Sequence, residues 1–167
     1  VYGLAFSQNP RQKIQDYLNV NKTKFNLSNS DISDWSINGE GSSKTTKINN
    51  YYIKQSFQGI EIHNTVSNVW IKSNEVVNFQ NAFISNISSK TNSVSPNLSI
   101  TEALNSAVVN LNAPTFQFEI IENINNKEFT LTNGALLDDP IKAKLVFQPV
   151  NLLFTLILRK VYLATFI

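Results

Sequence analysis

A chain of 167 residues is long enough for one sizeable domain or two small ones, and its 42% hydrophobic content, with 11 phenylalanines, supplies a core that a disordered tail would lack. A net charge of only +2, with no lysine and arginine cluster interleaved with aromatics, argues against a nucleic-acid partner. The absence of cysteine removes disulfides, thiol nucleophiles and thiolate-held zinc together.

In chain order, Val1 to Ser7 are small and apolar, and Ala5 and Ser7 stand two apart, as small residues do ahead of a signal-peptidase cut. Residues 1–7 are expected to be a signal-peptide remnant cleaved before Gln8, with an ordinary strand as the alternative. No methionine is present, so the true start is expected to be missing. Pro10 suits a first helical turn, and Ile14, Tyr17 and Leu18 recur at helical spacing, predicting a helix over residues 10–20. A polar connector over 21–30 leads to a short strand over 32–37 with Trp35 as its core anchor. Gly39-Glu40-Gly41-Ser42-Ser43 reads as a loop.

Three strands follow over 48–57, 60–73 and 75–79, joined by turns at Gln58-Gly59 and Ser73-Asn74. Uninterrupted alternation along the second would set Ile60, Ile62, Val66 and Trp70 on one face, with Asn64 and Asn68 as polar gaps. Glu61, His63, Thr65, Ser67, Val69 and Ile71 would then share the other. Residues 85–99, rich in Ser and Asn and containing Pro96, read as a linker. Ser99 and Glu102 fit a capping box, and Ile100, Ala103, Leu104, Ala107, Val108 and Leu111 form the stripe of a helix over 100–111. Strands resume over 115–122 and 127–132, joined near Asn125. Asn133-Gly134 marks a turn, and residues 142–150 alternate cleanly. The apolar run from Leu152 to Leu158 is broken by Arg159-Lys160 and falls short of the roughly 20 residues of a membrane span. It reads as a core strand in a chain that stops mid-fold at Ile167. The fold class is therefore α+β: two subdomains, each a helix packed on an antiparallel β-meander.

Catalytic chemistry is hard to assemble from these residues. His63 is the single histidine, whereas a thermolysin-type zinc site needs two histidines four apart on a helix and a glutamate. A Ser-His-Asp triad would have to use His63, which lies in a predicted strand with no nucleophile elbow and reads as a rim residue. Asp138-Asp139 ahead of Pro140 read as a solvated turn. Glu119 and Glu122, three apart on a strand, would point to opposite faces. Five glycines in all supply no phosphate-cradling loop, and no cofactor is expected.

Tyr51-Tyr52, Gln55, Gly59-Ile60, Ile62, Asn64, Val66, Val69 and Val76-Val77, preceded by Ser33-Asp34-Trp35, carry a pattern that resembles the FTP domain, the fungalysin/thermolysin propeptide. Leu98-Ser99, Glu102-Ala103-Leu104 and Ala107 resemble the helix that opens the PepSY-like half of such pro-regions. Residues 142–149 are similar to a strand near its end. Three positions depart from the usual pattern: Glu61 stands where proline is common, His63 where an aromatic is common, and Thr65 where alanine is common. Residues beyond Val150 do not match.

The resemblance implies an FTP-like subdomain over 8–90, a PepSY-like subdomain over 91–150, and a divergent apolar tail or truncated strand over 151–167. It implies a non-catalytic propeptide, acting as inhibitor and intramolecular chaperone of a secreted fungalysin-like zinc metallopeptidase. The partner would be a catalytic domain absent from this chain, with no nucleic acid and no membrane span involved. Gln55, Gln58, Gly59, Glu61, His63 and Asn64 would face that partner, unless these residues only define turns and sheet register. The rival functions are an extracellular binding or adhesion module with no peptidase partner, and an unrecognised hydrolase.

Overall fold

The computed structural model describes residues 9–112, 116–132, 140–152 and 155–165. The expected signal-peptide remnant, the Asn133-Gly134 turn and the Asp138-Asp139 pair lie outside them. The fold is α+β and divides into two compact units, Val1–Lys90 and Thr91–Ile167.

The first unit opens with α1, Pro10–Asn21, whose Asn9 cap accepts a hydrogen bond from the Arg11 N–H at 2.9 Å. A 3-10 turn, Lys22–Phe25, extends the helix until Asn26 reverses the chain with a φ of 56°. A second, Ser30–Ile32, precedes four strands: β1, Trp35–Ser42; β2, Ile48–Phe57; β3, Ile60–Lys72; and β4, Glu75–Gln80. Consecutive strands pair antiparallel in sequence order, a simple meander. Ile14 and Leu18 of α1 pack onto Trp35, Tyr51, Ile53, Val69, Ile71 and Phe79 of the sheet. Each fully buried aliphatic contributes roughly 1.5–3 kcal/mol relative to leaving it in water. Phe79 anchors an aromatic cluster, meeting Tyr17 edge-on at 5.9 Å and Phe25 at 5.0 Å between ring centroids. Trp35 is the buried anchor expected of it: its indole N–H donates to Gln15 Oε1 at 2.7 Å, and the Arg11 guanidinium lies 4.4 Å from its ring centroid.

Two expectations need correction here. Ile32 belongs to a 3-10 turn that drops into the core, and the strand starts at Trp35 and runs through the presumed loop to Ser42. The pairing of Gly39 with Tyr52 and Gly41 with Asn50 overrides the turn preference of Gly-Glu-Gly. A Cβ on Gly39 would sit 3.6 Å from the Tyr52 ring, an ordinary contact. The linker also begins later than expected. Residues 87–90 form a short helix, α2, Ile87–Lys90, with Ile87 wholly buried.

The largest correction concerns the faces of β3. Lys54 pairs with Val66 and Ser56 with Glu61, so Gln55 alone stands opposite four residues, 62–65. Three residues are thus in excess, an odd number, which reverses the in-out phase of the strand. Asn64 makes the excursion possible with a φ of 61°, and the Thr65 hydroxyl closes it by donating to Ile62 O at 2.8 Å. Ile60 and Ile62 are buried before the bulge, and Thr65, Ser67, Val69 and Ile71 after it. Val66, placed on the core face by strict alternation, is exposed, and Trp70 is half-buried on the outer face.

Asparagine does in this protein much of what glycine does elsewhere. Among the described residues, ten other than glycine have positive φ, and seven of them are Asn: 26, 64, 74, 86, 112, 125 and 126. The short amide side chain tolerates the left-handed region better than other non-glycine residues.

The second unit contains α3, Ile100–Asn110, and strands β5, Glu119–Ile124; β6, Glu128–Thr132; β7, Ile141–Leu152; and β8, Thr155–Thr165. These strands also pair antiparallel in sequence order. Ile100 and Leu104 pack on Phe129, Leu131, Ile141 and Ala143. The run expected as a divergent tail thus has strand backbone, with β8 paired to β7 from Leu152↔Thr155 to Lys142↔Thr165. The capping box is present in both directions: Ser99 Oγ accepts from the Glu102 N–H, and Glu102 Oε2 accepts from the Ser99 N–H at 2.7 Å. That N–H, followed by the Ser99 hydroxyl, holds the Glu102 carboxyl below its ordinary pKa. Ser99→Ala is expected to lower stability by about 1 kcal/mol, read as a lower urea midpoint. An unchanged midpoint would mean that the cap contributes nothing. No described helix is long and apolar enough to cross a membrane.

Candidate functional site

The candidate site is the β2–β3 hairpin and the sheet face turned away from α1. Its tip is a two-residue turn in which Gln58 and Gly59 have φ of 51° and 70°. Positive φ at both positions is what a type I′ hairpin requires, because its twist matches that of the flanking strands. The turn is tethered from outside the hairpin. Gly59 N–H donates to Asp34 Oδ2 at 2.7 Å, and Ser56 N–H donates to Asp34 O at 2.9 Å.

The structure places the six candidate residues in three different settings. Gln58, Gly59 and Asn64 are exposed, the first two at the tip and the third on the bulge. Glu61 and His63 are half-buried on β3. Glu61 accepts an ion-paired hydrogen bond from Lys54 Nζ at 2.7 Å, a contact that ties the two strands across their outer face. Further along that face lie Tyr52 and Val66, both exposed, and the side-chain oxygens of Asn50 and Asn68, buried with no hydrogen-bond partner among the described residues.

Gln55 does not face a partner, contrary to the expectation. It is 0% exposed, and its amide is fully engaged. Nε2 donates to Asp31 O at 2.9 Å and to Ile84 O at 3.0 Å, while Oε1 accepts from Ile84 N–H at 2.7 Å. One strand side chain thereby imitates a further strand for the segment after β4. The expected set thus splits into a surface group and one internal clamp.

Asp31 escaped the sequence reading and organises the same region. It is wholly buried, yet its carboxylate accepts four hydrogen bonds: from Ser28 N–H and Oγ at 2.7 Å each, Asn86 N–H at 3.0 Å and Ile87 N–H at 2.8 Å. Burial pushes its pKa up. The donors, led by the Ile87 and Ser28 N–H groups, outweigh that push and hold the carboxyl below its ordinary value. A signal was available in Ser28-x-x-Asp31, which has the spacing of a capping box.

The carboxylates weighed for hydrolysis also sit differently from expectation. Glu119 pairs with Thr132 and Glu122 with Thr130, so a bulge at Ile121 brings both onto one face of β5. Both are exposed, and Glu122 Oε2 accepts from Thr130 Oγ1 at 2.8 Å. Among the described residues no group of three or more His, Asp or Glu is placed to hold a metal ion. No protein-family model matches the chain, and no curated protein matches it significantly.

Proposed function

We propose that the chain is the non-catalytic pro-region of a secreted fungalysin-like zinc metallopeptidase, and that it inhibits the catalytic domain and helps it fold. The observation that carries the reading is the position of three motif residues that are not hydrophobic. Gln55 clamps the segment after β4, Gly59 forms the hairpin tip and Asn64 forms the bulge. A motif devoted to shaping a hairpin suits a molecule that works by presenting a surface. Gln58, Glu61, His63 and Asn64 supply that surface from one hairpin, whose tip is held by Asp34 and which Gln55 ties to the backbone of Asp31 and Ile84.

A partner that binds only the folded enzyme stabilises it in proportion to the logarithm of its concentration over Kd. Covering an enzyme cleft stably takes an interface of roughly 1,000 Å² or more, which a hairpin face and its flanking strands can furnish together. The Lys54–Glu61 pair would set the charge pattern that the enzyme meets.

The test is inhibition in trans. Purified chain added at micromolar concentration to a mature fungalysin-type peptidase is expected to slow turnover, and to raise the yield of active enzyme when that peptidase refolds from denaturant. Combined Gln58→Ala and His63→Ala is expected to weaken both effects while leaving the urea midpoint of the chain nearly unchanged. If the chain neither inhibits the peptidase nor improves its refolding, the reading is overturned and an adhesion module is the better one.

A further inference from the structure

We propose that residues 92–99 are a proteolytic processing site, cut before Val94 or Leu98 by an endopeptidase that seats an aliphatic side chain immediately after the scissile bond. The inference is independent of the pro-region reading, since it requires only a protease of that specificity.

An endopeptidase binds its substrate as an extended strand, by pairing with backbone N–H and C=O groups. Exposure of a side chain is therefore insufficient, because the backbone on either side must also be available. Residues 92–99 come nearest to both conditions, with Ser99 N–H already taken by Glu102 Oε2 at the helix cap. All eight are exposed, and none lies in a helix or strand. The interior of the segment is held by local bonds, Ser93 Oγ to Ser95 O at 3.2 Å and Ser95 N–H to Ser93 Oγ at 3.1 Å. Pro96 keeps Ser95 out of the helical region and so biases the run toward an extended form.

The two apolar residues in this run are Val94, 42% exposed, and Leu98, 49% exposed. More exposed aliphatics exist elsewhere: Val20 at 80% and Ile121 at 55% lie inside α1 and β5, and Leu111 at 67% closes α3 with its N–H bonded to Ala107 O. Their backbones are committed to helix or ladder hydrogen bonds, and binding to a protease would require local unfolding. The ends of the run are fixed by Ile87 and Ile100, both buried. Seating at Val94 would leave both neighbouring helices in place, whereas seating at Leu98 would also draw on the Ser99 cap of α3.

Hydrolysis adds one water across the Ser93–Val94 or Asn97–Leu98 bond. The carbonyl carbon gains the hydroxyl and the departing nitrogen takes the proton. The cut falls shortly after the boundary at Lys90 and interrupts no strand or helix of either compact unit.

The experiment is brief digestion of the intact native chain with thermolysin, read by intact mass. The first fragments are expected to end at Ser93 or Asn97. In a Val94→Asp, Leu98→Asp double variant their rate of appearance should fall at least about tenfold, while the urea midpoint stays near that of the parent. An earliest break elsewhere in the chain, or a double variant cut in this run at the parental rate, would overturn the proposal.

Discussion

Replacing Gln55 with leucine is expected to lower the unfolding free energy by about 3 kcal/mol, although the two side chains are close in size. The loss comes from what stays behind. Asp31 O, Ile84 O and Ile84 N–H each lose a partner at 2.7–3.0 Å, and an unsatisfied buried group costs about 1–3 kcal/mol. The damage should be directional. Hydrogen exchange at Ile84 should accelerate well beyond the global change, because its N–H loses its acceptor on Gln55. Gln58→Leu, at the exposed tip, should change stability by less than about 0.5 kcal/mol. Urea unfolding followed by tryptophan fluorescence measures both. A loss below about 1 kcal/mol for Gln55→Leu would mean that the clamp is replaceable by packing.

Asp31→Ala is expected to be at least as severe, at roughly 3–5 kcal/mol, because three backbone N–H groups and one hydroxyl lose a charged acceptor together. The same carboxylate gives stability a pH dependence of known sign. Its folded pKa lies below the ordinary value, which is about 3.9 for an unfolded aspartate. As pH falls past that value the unfolded chain takes up a proton first, so the unfolded state gains. The contribution is complete above about pH 4 and disappears as pH drops through the folded pKa. Asp31→Asn carries no such charge. The difference in urea midpoint between parent and Asp31→Asn should therefore be widest near neutrality and shrink below about pH 4. A difference that stays constant down to about pH 2.5 would show that the carboxylate is not the titrating group.

Both residues mark where sequence reasoning reached and where it stopped. α1, α3 and the β2–β3 turn were legible because their signals are local: Pro10 at a first turn, Ser99 with Glu102, Gln58-Gly59 between apolar runs. β1 beyond Asn38 was not, because Gly39–Ser42 is strand only through its ladder with β2. α2 was hidden because its anchoring bond joins Ile87 to Asp31, 56 residues away. Gln55 read as an outward amide, since a strand glutamine carries no mark of what its ends will meet. The tip and the half-wet setting of Glu61 and His63 were readable, whereas Asn64 read as a polar gap in an unbroken strand, because nothing local marks the bulge it makes against β2. The carboxylates that brace these residues, Asp31 and Asp34, were not readable either, because their partners are backbone N–H groups.

The odd-numbered excess at residues 62–65 also bears on how this hairpin can change in length. Residues 66–72 point to the same side as their partners on β2, so the ladder holds Val69 and Ile71 inside whatever the length of the excursion. Deleting one residue there would leave an even excess, and unbroken alternation along β3 would then agree with the ladder. Deleting two would leave the single extra residue of an ordinary bulge, which reverses the phase as the present excursion does. The hairpin can therefore shorten here in single steps without exchanging its two faces.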